Sequence, residues 1–210
     1  MLLSDPSHAP RQLQTAQWRD HPEWHRGRPR YALWSIPVEC PVVLRRMQAA
    51  RELLGNWLHP PGARAAHITL FVCGFPCTAA VHDDDIPSAV LEAQLQDLTA
   101  LQPLPFTLHI GALDSFASAA FLRVTNAGPL ERLRETLGKR TREVRQAPYV
   151  PHLTLGLYRQ AASAEDWHQR AAPLRTCTEL ELPVHELQLV SYAACEPAGA
   201  LRVEQRLVLG

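Results

Sequence analysis

No excess of positive charge marks this chain. Lys plus Arg and Asp plus Glu both number 21, so the formal net charge is zero. A protein that grips a long nucleic acid along its backbone carries a basic surplus to displace counterions. Any nucleic-acid ligand is therefore expected to be a short end or a small nucleotide. The chain also lacks a run of roughly 18 apolar residues, the length needed to cross a bilayer, so no membrane association is expected. It lacks a cysteine framework. The five cysteines, Cys40, Cys73, Cys77, Cys177 and Cys195, are odd in number and scattered, which reads as free buried thiols in a reducing cytosol. Cys73 and Cys77 stand four apart, but no second Cys or His pair completes a zinc site. No secretory leader is read in residues 1–28, which are polar and rich in Arg, His and Trp; the expected location is cytoplasmic.

What is present suits a globular protein. The 210 residues, 46% hydrophobic and 20% charged, fit one domain, or one domain of two lobes, with a full core. Residues 1–28, broken by Pro6, Pro10, Pro22 and Gly27, read as an irregular extension that Trp18 and Trp24 pin to the body. Residues 29–210 read as the two-lobed domain. Tyr31 to Pro37 is a short apolar run, expected as a strand. Val43, Met47, Ala50, Leu54 and Trp57 have helical spacing over 42–58, closed by Pro60, Pro61 and Gly62. Residues 66–74 are expected as a strand, Ser88 as the cap of a helix through Leu101, and 106–113 as a strand. The order then repeats. Strand 120–125 leads to helix 129–144, strand 152–158, a helix candidate at 164–172, and strands at 184–192 and 201–209. The repeat is one of layout, with low identity between the halves.

Two segments carry chemistry. His67-Ile68-Thr69-Leu70 and His152-Leu153-Thr154-Leu155 share one pattern. Strand side chains alternate, so His67 with Thr69, and His152 with Thr154, point to one face, while Ile68, Leu70, Leu153 and Leu155 point to the other. Imidazole and hydroxyl then sit roughly 6.5–7 Å apart along the strand, within reach of one phosphate. A lone His-x-Thr arises about half a time by chance in such a chain, but two apolar-flanked copies arise about once in a thousand. Histidine titrates near neutral pH. One neutral ring can take the attacking oxygen's proton while one protonated ring supplies the leaving oxygen. Thr69 and Thr154 would hydrogen-bond non-bridging phosphate oxygens. No carboxylate cluster accompanies these groups, and neither metal nor other cofactor is expected.

On these residues the chain resembles the two-histidine (2H) phosphoesterase superfamily, and within it the bacterial 2′-5′ RNA ligase or RNA 2′,3′-cyclic phosphodiesterase group. The resemblance runs from residue 30 to 210. Pro151 before the second motif, Gly74 closing the first, and Ser115-Phe116 after the 106–113 strand support it, as does the late segment 184–191. It implies an α+β fold, bilobed and pseudo-two-fold, with two antiparallel sheets flanking a central groove and helices outside. It implies hydrolysis of a 2′,3′-cyclic phosphate on a nucleotide or RNA end, with 2′-5′ joining of RNA ends as a second activity. It also implies the first histidine as acid and the second as base. The group often carries Arg two residues past the second motif's Leu. Gly156 and Leu157 follow Leu155 here, and the nearest Arg is Arg159.

Four further residues are expected to contact substrate. Phe71, two past Thr69, and Phe121 are placed to stack on a base. Tyr158 lies four past Thr154, and Arg159 is the nearest cation after the second motif. Arg123, alternating with Phe121, is weighed as a phosphate contact or a surface residue, and His109 as structural. Asp83-Asp84-Asp85 reads as a solvated loop before a helix. The protein is expected to act as a monomer. Two other readings remain open. One is an idle nucleotide- or RNA-binding module on the same groove. The other is a metallohydrolase using His67, His152 and a thiol such as Cys73.

Overall fold

Strand β1 (Arg30–Pro37) forms because Ala32, Trp34 and Ile36 bury one face while Tyr31, Leu33 and Ser35 bury the other. Next to it runs β2 (His67–Cys77), antiparallel, with Pro37 opposite His67 and Ala32 opposite Gly74. This is the computed structural model of the chain, and it describes residues 2–5, 7, 9–145 and 147–210. Between β1 and β2 comes helix α2 (Pro41–Leu54), opened by Pro41, whose missing N–H is no loss in a first turn. A short 3-10 turn, Gly55–Trp57, follows it. After β2 come a short strand β3 (Asp85–Pro87), helix α3 (Ser88–Leu101) and strand β4 (Phe106–Ser115). The second repeat supplies β5 (Ala119–Thr125), α4 (Gly128–Gly138), β6 (His152–Leu157), α5 (Ala164–Arg175), β7 (Leu180–Val184), β8 (Glu186–Ala193) and β9 (Arg202–Val208). A single-turn helix α1 (Pro22–His25) lies in the extension.

The strands line up as β7-β4-β5-β6-β2-β1-β8-β9, with β3 parallel on β2. The two expected sheets are therefore two halves of one. They meet between the histidine strands through one bridging pair, Ile68 and Leu153. The halves match: β6-β5-β4-β7 mirrors β2-β1-β8-β9. Each repeat also lends strands to the other half. β4, from the first repeat, pairs with β5 and β7. β8, from the second, pairs with β1.

One apolar core runs under both halves, holding Trp34, Ile68, Leu70, Leu122, Leu153, Leu155 and Trp167. The buried Trp34 indole donates to Gln94 Oε1 at 3.0 Å, and Gln94 Nε2 donates to the Leu137 carbonyl at 3.1 Å. That chain satisfies α3's polar side chain inside the core and ties α3 to α4. Among the described residues no helix is long and apolar enough to cross a membrane.

Several local expectations change. Ser88 is the first helical residue, not a cap, and its hydroxyl donates to the Cys77 carbonyl at 3.4 Å. Helix α4 stops at Gly138, six residues short of Val144. The chain beyond it lies along the free edge of β2 instead, where Val144 N–H donates to the Val72 carbonyl at 3.3 Å and Glu143 accepts from Val72 N–H at 2.9 Å. Helix α5 runs on to Arg175, through Pro173. All five cysteines are free, but only Cys73 is buried.

Of the aspartate run only Asp83 is solvent-exposed. Arg28 Nη1 donates to Asp84 at 2.5 Å and to Asp85 at 2.6 Å, and Asp85 also accepts from Val81 and His82 N–H at 2.9 Å. Although its burial opposes ionisation, these donors hold the Asp85 carboxyl down at about 2. The extension is joined to the body at both ends. Leu3 and Leu13 sit in the core, Trp18 stacks on His59 with centroids 4.9 Å apart, and Trp24 packs on Tyr31 and Phe75 at 4.9 and 5.0 Å.

Candidate active site

Each histidine opens its strand, where the chain leaves a loop and alternation begins. In antiparallel pairing the Ile68–Leu153 bridge runs His67 toward Thr154 and Thr69 toward His152. Four polar side chains from distant stretches of sequence thus gather on one face, with the core on the other. With Ile68 and Leu153 paired, the two rings open neighbouring strands on the same face of the sheet.

The two rings are held alike. His67 Nδ1 meets the Ala65 carbonyl at 2.9 Å, and His152 Nδ1 meets the Val150 carbonyl at 2.6 Å, each two residues upstream. A carbonyl only accepts, so Nδ1 carries the proton in both rings. Nε2 is the nitrogen left for a ligand. Burial is the largest influence on both, pushing each pKa below the ordinary histidine range. The backbone bond pulls each back up. Arg64 and His152 push His67 further down, and Arg145 does the same to His152. The unliganded rings are thus neutral at pH 7.

Thr69 is half-buried and Thr154 exposed, and among the described residues neither hydroxyl has a hydrogen-bond partner. Both are available to an incoming ligand. The backbone of Thr69 is not free: its carbonyl accepts from Tyr149 Oη at 2.8 Å.

The residues expected to stack on a base lie elsewhere. Phe71 is 3% exposed. Ser35 pairs with Thr69 and Trp34 with Phe71, so Leu70 is one extra residue in β2. That bulge resets the alternation and takes Phe71 off the histidine face. Phe121 is fully buried. It pairs across from Thr154, and its ring lies 5.2 Å from that of His152, while Phe116 meets the same imidazole edge-on at 5.0 Å. Phe121 therefore props the imidazole and offers no face to a base. Tyr158 is also fully buried. Its hydroxyl is shared with Ser115 Oγ at 2.7 Å and Trp167 Nε1 at 2.8 Å, so it is a core polar anchor. Arg159 is exposed but follows Tyr158 at the far end of β6, roughly 20 Å of strand from His152. Arg123 pairs directly across from His152 and is exposed, so it borders the groove. His109 lies 3.2 Å from Glu179 at the surface.

Cys73 is buried, with Sγ 3.7 Å from Gln94 Oε1 on the α3 side of β2. Burial drives its thiol pKa up. It cannot join the histidines as a ligand, which removes the metallohydrolase set built on it. Among the described residues no group of three or more His, Cys, Asp or Glu is placed to hold a metal ion.

Sequence reasoning missed Arg64, Tyr149 and Arg145, all in loops next to the histidine strands. Loops carry no periodicity to mark them.

A duplicated α+β fold with a His-x-Thr strand at the inner edge of each half, the two meeting at the middle of the sheet, is the architecture of the two-histidine phosphoesterases. The chain belongs to the 2′-5′ RNA ligase superfamily, whose family model matches residues 41–195. Membership places it among enzymes of phosphoesterase or RNA-ligase type. Its fold is similar to that of E. coli LigT complexed with 3′-AMP, at TM-score 0.61 and 17% identity over 86% of this chain and 98% of that one. It is also similar to TT0787 of Thermus thermophilus, at TM-score 0.59 and 16% identity over 85% and 97%. No curated protein matches it by sequence.

Proposed function

We propose that this chain is a metal-independent phosphodiesterase that opens 2′,3′-cyclic phosphates on nucleotides or RNA ends. The supporting observation is the matched pair of rings, each with Nδ1–H tied to a carbonyl and Nε2 left for substrate. Water attacks phosphorus and gives its proton to one neutral Nε2. The P–O bond to one ribose oxygen breaks, and that oxygen takes a proton from the other ring, protonated when the anionic substrate binds. Thr69 and Thr154 donate to the non-bridging oxygens as charge builds there. A ribose hydroxyl in place of water would run the same groups toward 2′-5′ joining. The expected setting is a monomer in the cytoplasm.

The test is hydrolysis of a 2′,3′-cyclic mononucleotide, with and without a chelator. His67→Ala and His152→Ala should each lower turnover by at least about a hundredfold, with chelation leaving the wild type unchanged. Near wild-type turnover in either variant ends the paired mechanism. Binding without turnover in the wild type would favour the idle binding module.

A further inference from the structure

The loop before β2 and the loop between β8 and β9 close on one another. Gly62 allows it, because a Cβ there would run into the Cβ and carbonyl of Ala198. Two residues on, Arg64 Nε donates to the Gly199 carbonyl at 3.3 Å, and the guanidinium lies over the Tyr192 ring with Cζ 3.8 Å from its centroid. This side chain is held in place before any ligand arrives.

Tyr192 shows which side of the sheet is covered. It pairs with Tyr31, their ring centroids 5.8 Å apart. Tyr31, Leu33 and Ser35 share one face of β1 by alternation. Ser35 pairs with Thr69, which shares the face of His67. Arg64 therefore sits on the histidine face, and the three residues between them keep its Cα within roughly 11 Å of that of His67. Its Nη2 is buried and has no hydrogen-bond partner among the described residues. A buried guanidinium N–H without an acceptor is costly, and an anion is the group that would complete it.

We propose that Arg64 is a further substrate-binding residue of this site, its Nη2 donating to a non-bridging oxygen of the reacting phosphate. This rests on reading the groove as a phosphodiesterase site. Thr69 and Thr154 are neutral donors, and both imidazoles are neutral before substrate binds. Arg64 adds a positive charge that is fixed in advance. Negative charge builds on the non-bridging oxygens as water adds to phosphorus, and a donor already in place meets it without rearranging.

Calorimetry with inorganic phosphate on the full-length protein tests this without turnover. The wild type should bind it, and Arg64→Gln should bind it at least about tenfold more weakly, the scale of one charge-assisted hydrogen bond. Arg64→Lys, which keeps the charge and loses the fork, should fall between them. A merely structural arginine would leave phosphate affinity unchanged in any variant that melts like the wild type. Equal affinity in a folded Arg64→Gln therefore overturns the assignment, as does a wild type that binds no phosphate. If Arg64→Gln does not fold, arginine side-chain NMR of the wild type decides. The Arg64 N–H resonances, assigned with Arg64→Lys, should shift as phosphate is added, and unmoved resonances overturn the assignment. If phosphate binds through Arg64 but cyclic phosphates are not hydrolysed, the anion contact stands and the phosphodiesterase reading falls. Hydrolysis that needs His67 and His152 but not Arg64 does the reverse.

Discussion

Tyr149 donates its phenolic hydrogen to the backbone carbonyl of Thr69 at 2.8 Å. Tyr149 stands three residues before His152, and Thr69 two after His67. One hydrogen bond therefore ties the approach to one histidine strand to the backbone of the other. Arg134 reinforces the tie, with its Cζ 3.7 Å above the Tyr149 ring and its Nη1 donating to the Leu70 carbonyl at 2.5 Å. Tyr149→Phe keeps the ring and removes only the hydroxyl. Stability should fall by about 1 kcal/mol. Turnover should fall about tenfold as the two rings lose registry, with KM little changed. Thermal melts and steady-state kinetics on a cyclic nucleotide would measure both, and unchanged turnover would show that the tie is dispensable.

The two imidazoles also set a pH dependence of stability. Both have folded-state pKa values below the ordinary range, chiefly through burial. The unfolded chain takes up protons at these positions as pH falls through about 6.5, while the folded chain resists until lower pH. Stability is thus full above the unfolded value and declines as pH drops from it toward the folded values. Denaturant midpoints measured from pH 7.5 to 5 should fall, and the slope should be shallower in His67→Ala and His152→Ala. An equal slope in the variants would place the linked protons elsewhere, His168 being another imidazole whose pKa burial lowers.

The N-terminal segment behaves as part of the domain. Leu13 is 2% exposed in the main core, and its N–H donates to the Ala162 carbonyl at 2.8 Å. Leu13→Ala should cost about 3 kcal/mol, within the usual span for a buried leucine. Chemical denaturation would show it as a lower midpoint at unchanged slope. A loss below about 0.5 kcal/mol would mean that the segment is only draped over the surface.

Much of this was readable from local pattern. The His-x-Thr strands stand out because alternation and chemistry coincide within four residues, and the repeat of elements follows from apolar spacing. What escaped was set by distant partners. A bulge at Leu70 moved Phe71 to the other face, and pairing with β1 exposes that bulge where β2 alone cannot. A matching bulge at Leu155, where Phe121 pairs with Thr154 and Ala120 with Gly156, resets the alternation in β6, and the Tyr158 ring is buried against Trp167. Residues 139–144 have helical spacing, yet the open edge of β2 claims Glu143 and Val144. Of three successive aspartates that look solvated, Asp84 and Asp85 are held by Arg28, more than fifty residues upstream.

The exchange of β4 and β8 between repeats means that neither repeat owns a finished half-sheet. A polypeptide cut between Ser115 and Ala119 would yield two pieces, each with a histidine strand, the first without β8 and β9 and the second without β4. Neither piece could present its imidazole on a stable platform, and only reassociation of the two would restore the groove. Whatever its ancestry as a doubled unit, the present molecule is indivisible.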